Sequence, residues 1–393
     1  MNGSATLRYI SFLKGVAIIG VVLVHSHQLI HGVDKIIREL LHVGAFGCQL
    51  FFVVSGFLMV ASWERLLSKY NGTVSKAYKE FIKKRYLSIA PIYILFILFY
   101  QIVSYCIGAL DIDSFYRISH APLSVLANVF LLHGLDYVNF NHVVPGGWFI
   151  GTIFLFYLLF PIIYQVYGIV RMKNPKLLVL LPVGGLLVSV AVQSCLFLVT
   201  GDWNMSRPGS FIYYSIVNQL PCMLAGMTLN YYLKDCRCPT NRLLCGFFFW
   251  GLVGNVLWYV LRLHYWVYAF IPYMLGLSFS YLFIYVYRRY SDAEHTGRNV
   301  LARKIEWCGK VSFSAYFTNF IGAFIFPWGM QLLLHHYGYS ISGNLLFVLL
   351  LIPIFVITFL LVPPVDYIIA YMKQRIGKIV IKEDINGWGG WGG

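Results

Sequence analysis

Residues 8–27 read Arg8-Tyr9-Ile10-Ser11-Phe12-Leu13-Lys14-Gly15-Val16-Ala17-Ile18-Ile19-Gly20-Val21-Val22-Leu23-Val24-His25-Ser26-His27. Nine consecutive residues, Val16 to Val24, are apolar or glycine. With its flanks the stretch from about 9 to 30 is long enough to cross a bilayer as a helix, which takes about 20 residues. Lys14 interrupts the apolar run and no small-residue cleavage pattern follows. The stretch therefore reads as a retained span and not as a removable leader.

The same pattern recurs along the chain. Further apolar stretches of spanning length lie near 43–62, 87–108, 147–170, 177–199, 211–232, 243–262, 265–286, 311–334 and 344–362. The expectation is an all-α polytopic membrane protein with about ten transmembrane helices. The apolar piece Pro122–Leu135 is too short to cross and reads as a re-entrant or interfacial helix. Composition agrees: of 393 residues, 59% are hydrophobic and only 11% charged, against about 25% charged in a typical soluble domain. A disordered chain and a water-soluble one are both excluded on these grounds.

The net charge of +15 would suggest a polyanionic partner in a soluble protein. Here its placement explains it. Alternate connections, the start and the tail hold 25 of the 30 basic residues; only Lys35, Arg38, Arg117, Arg207 and Arg262 fall on the other side. The positive-inside rule makes the 25-residue side cytoplasmic, with both termini there. No nucleic acid is expected as a partner; membrane lipids are. The reading is one transmembrane domain over residues 1–376 and a flexible cytoplasmic tail over 377–393, ending in the low-complexity Gly-Trp repeat.

Cysteine chemistry adds little. Cys48, Cys106, Cys195, Cys222 and Cys245 lie in or near spans, where cysteine is usually a packing residue. Cys236 and Cys238 fall in a cytoplasmic loop with no second ligand pair nearby, so no metal is expected.

Ionisable groups inside a span are costly and mark functional candidates. Lys14 and His25 are 11 residues apart, which is three turns plus roughly 20°, so they share one helix face about 16 Å apart along the axis. His27 lies about 200° further round than His25 and meets different surroundings. At the cytoplasmic entry to the third span, Phe81-Ile82-Lys83-Lys84-Arg85-Tyr86-Leu87-Ser88-Ile89-Ala90-Pro91-Ile92-Tyr93 carries a cationic cluster. Such a cluster serves as a topology signal or as a phosphate site, for which the arginine fork is suited. On these features an enzyme and a multi-pass transporter or flippase of a glycan-related solute stay equally open. In the transporter reading Lys14, His25, Asn218 and Gln219 line the path.

In order and spacing, Lys14 with ten residues to His25, the segment Gly47-Cys48-Gln49-Leu50-Phe51-Phe52-Val53-Val54-Ser55-Gly56-Phe57-Leu58, and the Phe81–Tyr93 segment resemble the acyltransferase-3 family of integral-membrane acyltransferases. So do Gly147-Trp148-Phe149-Ile150, Phe156-Tyr157-Leu158-Leu159-Phe160-Pro161 and Gly309-Lys310-Val311-Ser312-Phe313-Ser314-Ala315-Tyr316. The resemblance covers nearly the whole chain. It implies transfer of an acyl group, mostly acetyl, from cytoplasmic acyl-CoA to a hydroxyl of a cell-surface polysaccharide, lipid-linked glycan or related acceptor, in a bacterial cytoplasmic membrane. It also implies His25 as the catalytic base, with Asn319, Ser55 and Tyr93 as oxyanion donors in prospect. Lys14, Lys83, Lys84 and Arg85 are expected on the donor's phosphates, and Ser55, Tyr93 and Trp148 are grouped with them in the donor site. Three positions depart from the family pattern. Ser88 stands where a second arginine is common, Ile153 where many members have a carboxylate, and Asn319 where many have histidine or tryptophan. The first departure puts more of the phosphate binding on Lys83, Lys84 and Arg85. No G-x-S-x-G elbow is present, so a covalent serine route is not expected.

Overall fold

A computed structural model describes residues 3–110, 116–202, 210–233, 239–260, 268–291 and 299–380. Cys236, Cys238 and the Gly-Trp repeat lie outside the described residues. The protein is all-α, 85% helical, with no strand among the described residues. The helices in chain order are α1 (Gly3–His25), α2 (Lys35–His42), α3 (Gly47–Lys69), α4 (Val74–Ala109), α5 (Pro122–Val129), α6 (Gly147–Lys173), α7 (Leu181–Thr200) and α8 (Phe211–Tyr214). They continue with α9 (Ile216–Tyr232), α10 (Thr240–Val260), α11 (Phe270–Ser291), α12 (Val300–Lys310), α13 (Ser312–Phe320), α14 (Phe326–His336), α15 (Gly343–Leu360) and α16 (Val362–Val380). A π turn at Ile321–Ile325 joins α13 to α14.

Each of the ten apolar stretches is largely helical where it is described, the stretch 9–30 leaving the helix after His25. Among the described residues, eight helical runs are long and apolar enough to cross a membrane. The stretch 211–232 is not among them because it breaks at Ser215, leaving α9 with 17 residues. The stretch 243–262 lies on α10, whose last described residue is Val260. Proline inside α4, α6, α9 and α15 is compatible with spanning helices, because neighbouring helices re-satisfy the freed backbone groups.

In lipid no hydrophobic force drives helices together, so association rests on close packing of small residues. The α1–α12 contact shows how close that is. A methyl placed on Gly15 would overlap the Ile305 carbonyl, and one on Gly309 would overlap the Ser11 carbonyl. Gly56 of α3 and Gly226 of α9 make the same kind of reciprocal contact, against the carbonyls of Met223 and Val53. The N-terminal end of α1 is further clamped to α12. Arg8 Nε and Nη2 donate to the two carboxylate oxygens of Glu306 at 3.1 Å each, and Tyr290 donates to Oε1 at 2.8 Å.

The Pro122–Leu135 piece, expected as a re-entrant or interfacial helix, folds as a hairpin against α4. On its way in, Ser119 accepts from Gln101 at 2.9 Å. Further along, Asn128 accepts from Tyr93 at 2.6 Å and Val129 accepts from Tyr86 at 3.1 Å. From Gln101 to Tyr86 is about 22 Å along a helix, more than half the hydrocarbon thickness. Leu131 forms the turn in the left-handed region (φ 60°) and is fully buried. Turn backbone groups are bonded: Leu131 N to Asn128 O at 3.0 Å and Leu132 N to Ala127 O at 2.8 Å. Irregular backbone at membrane depth requires such internal satisfaction. The chain then doubles back through His133, whose Nε2 donates to Gly147 O at 2.8 Å.

Candidate active site

The unbroken helix α1 places Lys14 and His25 on one face, as their spacing requires. Between them on that face, Ile18 and Val21 are buried. Two polar ends are thus separated by an apolar layer.

At the outer end, His25 Nδ1 lies 2.9 Å from Asn319 Oδ1. The other half of the Asn319 amide, Nδ2, donates to the Tyr316 carbonyl. A carbonyl only accepts, so the nitrogen must face Tyr316 and the oxygen must face His25. That oxygen in turn takes the Nδ1–H of the ring, which leaves the lone pair of the neutral imidazole on Nε2. Nε2 makes no hydrogen bond among the described residues. Phe320 and Phe324 pack on the ring with centroids at 4.5 and 5.7 Å. The π turn that follows Phe320 sits where such turns often mark functional sites.

Tyr316 ties this end to the outer connection. Its hydroxyl donates to Gly146 O at 2.8 Å. Gly146 has φ 75°, a left-handed conformation that suits glycine, and a side chain there would strike Phe320. Gly147 and Trp148 follow at once. Trp148 stacks on Tyr214 at 4.1 Å and its backbone N–H donates to Asn141 at 3.3 Å.

The inner end gathers around Arg85. Its Nη2 donates to Ser62 at 2.9 Å, and its guanidinium lies over the rings of Phe81 and Tyr157 at 5.2 and 5.3 Å. The Tyr157 hydroxyl lies beside Ser55. Lys14 is close enough to Arg85 for the two like charges to repel. Neither cation has a carboxylate partner among the described residues. Two nearby cations without an acid favour an anion between them, and arginine's fork is suited to phosphate.

The other expected residues are placed elsewhere. Lys83 and Lys84 point outward and are exposed; Lys84 pairs with Glu80 at 3.1 Å. At about 100° per residue, Lys84 and Lys83 lie about 100° and 200° round the helix from Arg85. Tyr93 is fully buried and its hydroxyl is committed to Asn128, with His133 Nε2 at 3.1 Å. Trp148 follows Gly146, which Tyr316 binds, and stacks on Tyr214, not on the Arg85 cluster. Ser55 belongs to the inner end and not to the His25 end. Asn319 holds His25 through its oxygen and gives one of its two amide N–H groups to the Tyr316 carbonyl. Asn218 and Gln219 are buried and bonded to Ser189, Gln193, Gln49 and the Tyr213 carbonyl, so they line no open path.

Sequence reasoning did not single out Tyr157, Ser62, Tyr316 or Phe320. A tyrosine inside the apolar run Phe154–Phe160 was the available signal for Tyr157.

A comparison with curated proteins and one with solved structures give no match. The model of the acyltransferase domain of the acyltransferase-3 family matches residues 7–363. That range holds both ends of the site and the apolar helices that carry them. The chain therefore belongs to the acyltransferase-3 family and is an integral membrane acyltransferase.

Proposed function

We propose that the protein transfers an acyl group, acetyl in the first instance, from cytoplasmic acyl-CoA to a hydroxyl of a cell-surface polysaccharide or lipid-linked glycan in a bacterial cytoplasmic membrane. In this reading the helices make ten crossings and both termini are cytoplasmic. The observation that carries it is the α1 face, with paired cations at one end and an oriented imidazole at the other.

The donor's phosphates sit on Lys14 and Arg85, with the Ser55, Ser62 and Tyr157 hydroxyls around them. The pantetheine arm crosses the Ile18–Val21 layer, which parts to admit it, and brings the thioester to His25. His25 Nε2 takes the proton of the acceptor hydroxyl, and that oxygen attacks the thioester carbonyl. The carbon–sulfur bond then breaks, the thiolate takes the proton from His25, and the ester and CoA thiol leave. A base held in one tautomer is what general base catalysis needs, and such catalysis contributes about 10²–10⁴-fold.

The test uses the purified full chain in liposomes with radiolabelled acetyl-CoA and a glycan acceptor. Label on the acceptor is expected. Solute uptake with no label transferred to any hydroxyl contradicts the proposal and favours the transporter.

A further inference from the structure

The re-entrant hairpin leaves a groove between its two arms that the proposed chemistry does not use. Leu123, Ser124 and Ala127 line it from the descending arm, and Leu132, Leu135, Asp136 and Tyr137 from the returning arm. The groove has a volume of about 420 Å³. Its apolar walls are open, with Leu123 79% and Leu135 67% exposed. In water such a surface would be a liability. Here the contacts of the hairpin with Tyr93 and Tyr86 set its lower part at the depth of the α4 span, so the surrounding medium is hydrocarbon.

The outer end is different. Asn139 Nδ2 donates to Ser124 Oγ at 3.0 Å and joins the arms. Asp136 Oδ1 accepts the backbone N–H groups of Val138 and Asn139 at 3.1 and 2.9 Å, which fixes the carboxylate at the mouth. Oδ2 makes no hydrogen bond among the described residues. Tyr137, beside it, is exposed. No lysine or arginine lines the groove. A phosphate headgroup would therefore meet an acid with no cation to offset it, while a sugar offers hydroxyls to the carboxylate and a face to the tyrosine ring.

We infer that this groove binds a neutral glycolipid, with a hydrocarbon chain between the arms and sugar hydroxyls on Asp136 and Tyr137. The inference rests on the proposed glycan acceptor and narrows it to one presented on a lipid. The returning arm runs on to Gly146, which Tyr316 binds beside Asn319, so a glycolipid seated here lies on the segment that abuts the His25 end.

The test is photolabelling of the full-length protein in phosphatidylcholine nanodiscs. Two probes carry the same chain diazirine, one on a long-chain alkyl glucoside and one on phosphatidylglycerol. The glucoside is expected to label the 123–137 peptide at least tenfold more than the anionic lipid does. Ala127→Trp, which fills the groove, should cut that labelling about tenfold. Leu135→Trp, at an exposed position that cannot disturb the interior, should cut it several-fold. Equal labelling by the two probes, or labelling unchanged in both variants, overturns the inference. Labelling needs no turnover, so the two readings fail separately. Acyl transfer without glucoside labelling removes the groove alone, and labelling without transfer from acetyl-CoA to any hydroxyl removes the enzyme reading alone.

Discussion

His25 Nδ1 and Asn319 Oδ1 meet at 2.9 Å across 294 residues of sequence, and Asn319 reaches that position because its other amide atom is anchored on the Tyr316 carbonyl. The result is a histidine whose free nitrogen is chosen by the fold. Replacing Asn319 with leucine removes the anchor and lets the ring choose either tautomer. Acyl transfer should fall about 10- to 100-fold in kcat, with the KM for acyl-CoA changed less than about twofold, as a positioning role requires. A matched fall in donor affinity would contradict this assignment.

The two inner cations separate from the two outer ones. Arg85→Ala and Lys14→Ala should each raise the KM for acyl-CoA about 10- to 100-fold, the loss of a charge-assisted hydrogen bond at about 1.5–3 kcal/mol. Lys83→Ala and Lys84→Ala should stay within about twofold, because both side chains are exposed and Lys84 makes a surface pair with Glu80. Steady-state kinetics on the four variants decides it.

The apolar layer between the two ends yields a third expectation. Ile18→Trp adds bulk where the pantetheine arm must pass. Transfer should drop at least tenfold while a CoA analogue still binds at the cytoplasmic face with native affinity, read by calorimetry. Native transfer by this variant would place the donor path elsewhere.

The Arg8–Glu306 clamp holds α12 against α1. Glu306 is 5% exposed, so Arg8→Ala strands a carboxylate that, among the described residues, Tyr290 alone still serves. A buried charge left unpaired costs up to about 3–5 kcal/mol, reduced here because the Arg8 side chain is 36% exposed. The double variant Arg8→Ala/Glu306→Gln should be more stable than Arg8→Ala alone, measured as the Tm in detergent.

Much of this architecture was legible because its signals are local. Apolar runs and the 11-residue Lys14–His25 spacing each depend on a short stretch of chain, and so does the short apolar piece at Pro122 that packs beside α4. What was not legible depends on contacts between distant segments. The triplet Lys83-Lys84-Arg85 reads as one cluster in sequence, but only the helix face turned toward Tyr157 and Ser62 picks out Arg85. Tyr93 and Asn319 both read as donors for an oxyanion; the single Tyr93 hydroxyl donor is engaged by Asn128 and one of the two Asn319 amide donors by the Tyr316 carbonyl, partners that no sequence spacing announces. The break at Ser215 shortens α9 below an ordinary span, a consequence of backbone geometry in an otherwise apolar run.

The most direct measurement is the initial rate of acetyl transfer from radiolabelled acetyl-CoA to a glycan hydroxyl by the native protein and by His25→Ala, followed as a function of pH. The account expects His25→Ala to lose about 10²–10⁴-fold in rate while still binding acetyl-CoA, and to lose the acid limb of the native profile, where protonation removes the Nε2 lone pair. Transfer by His25→Ala at the native rate, with the acid limb intact, would contradict it.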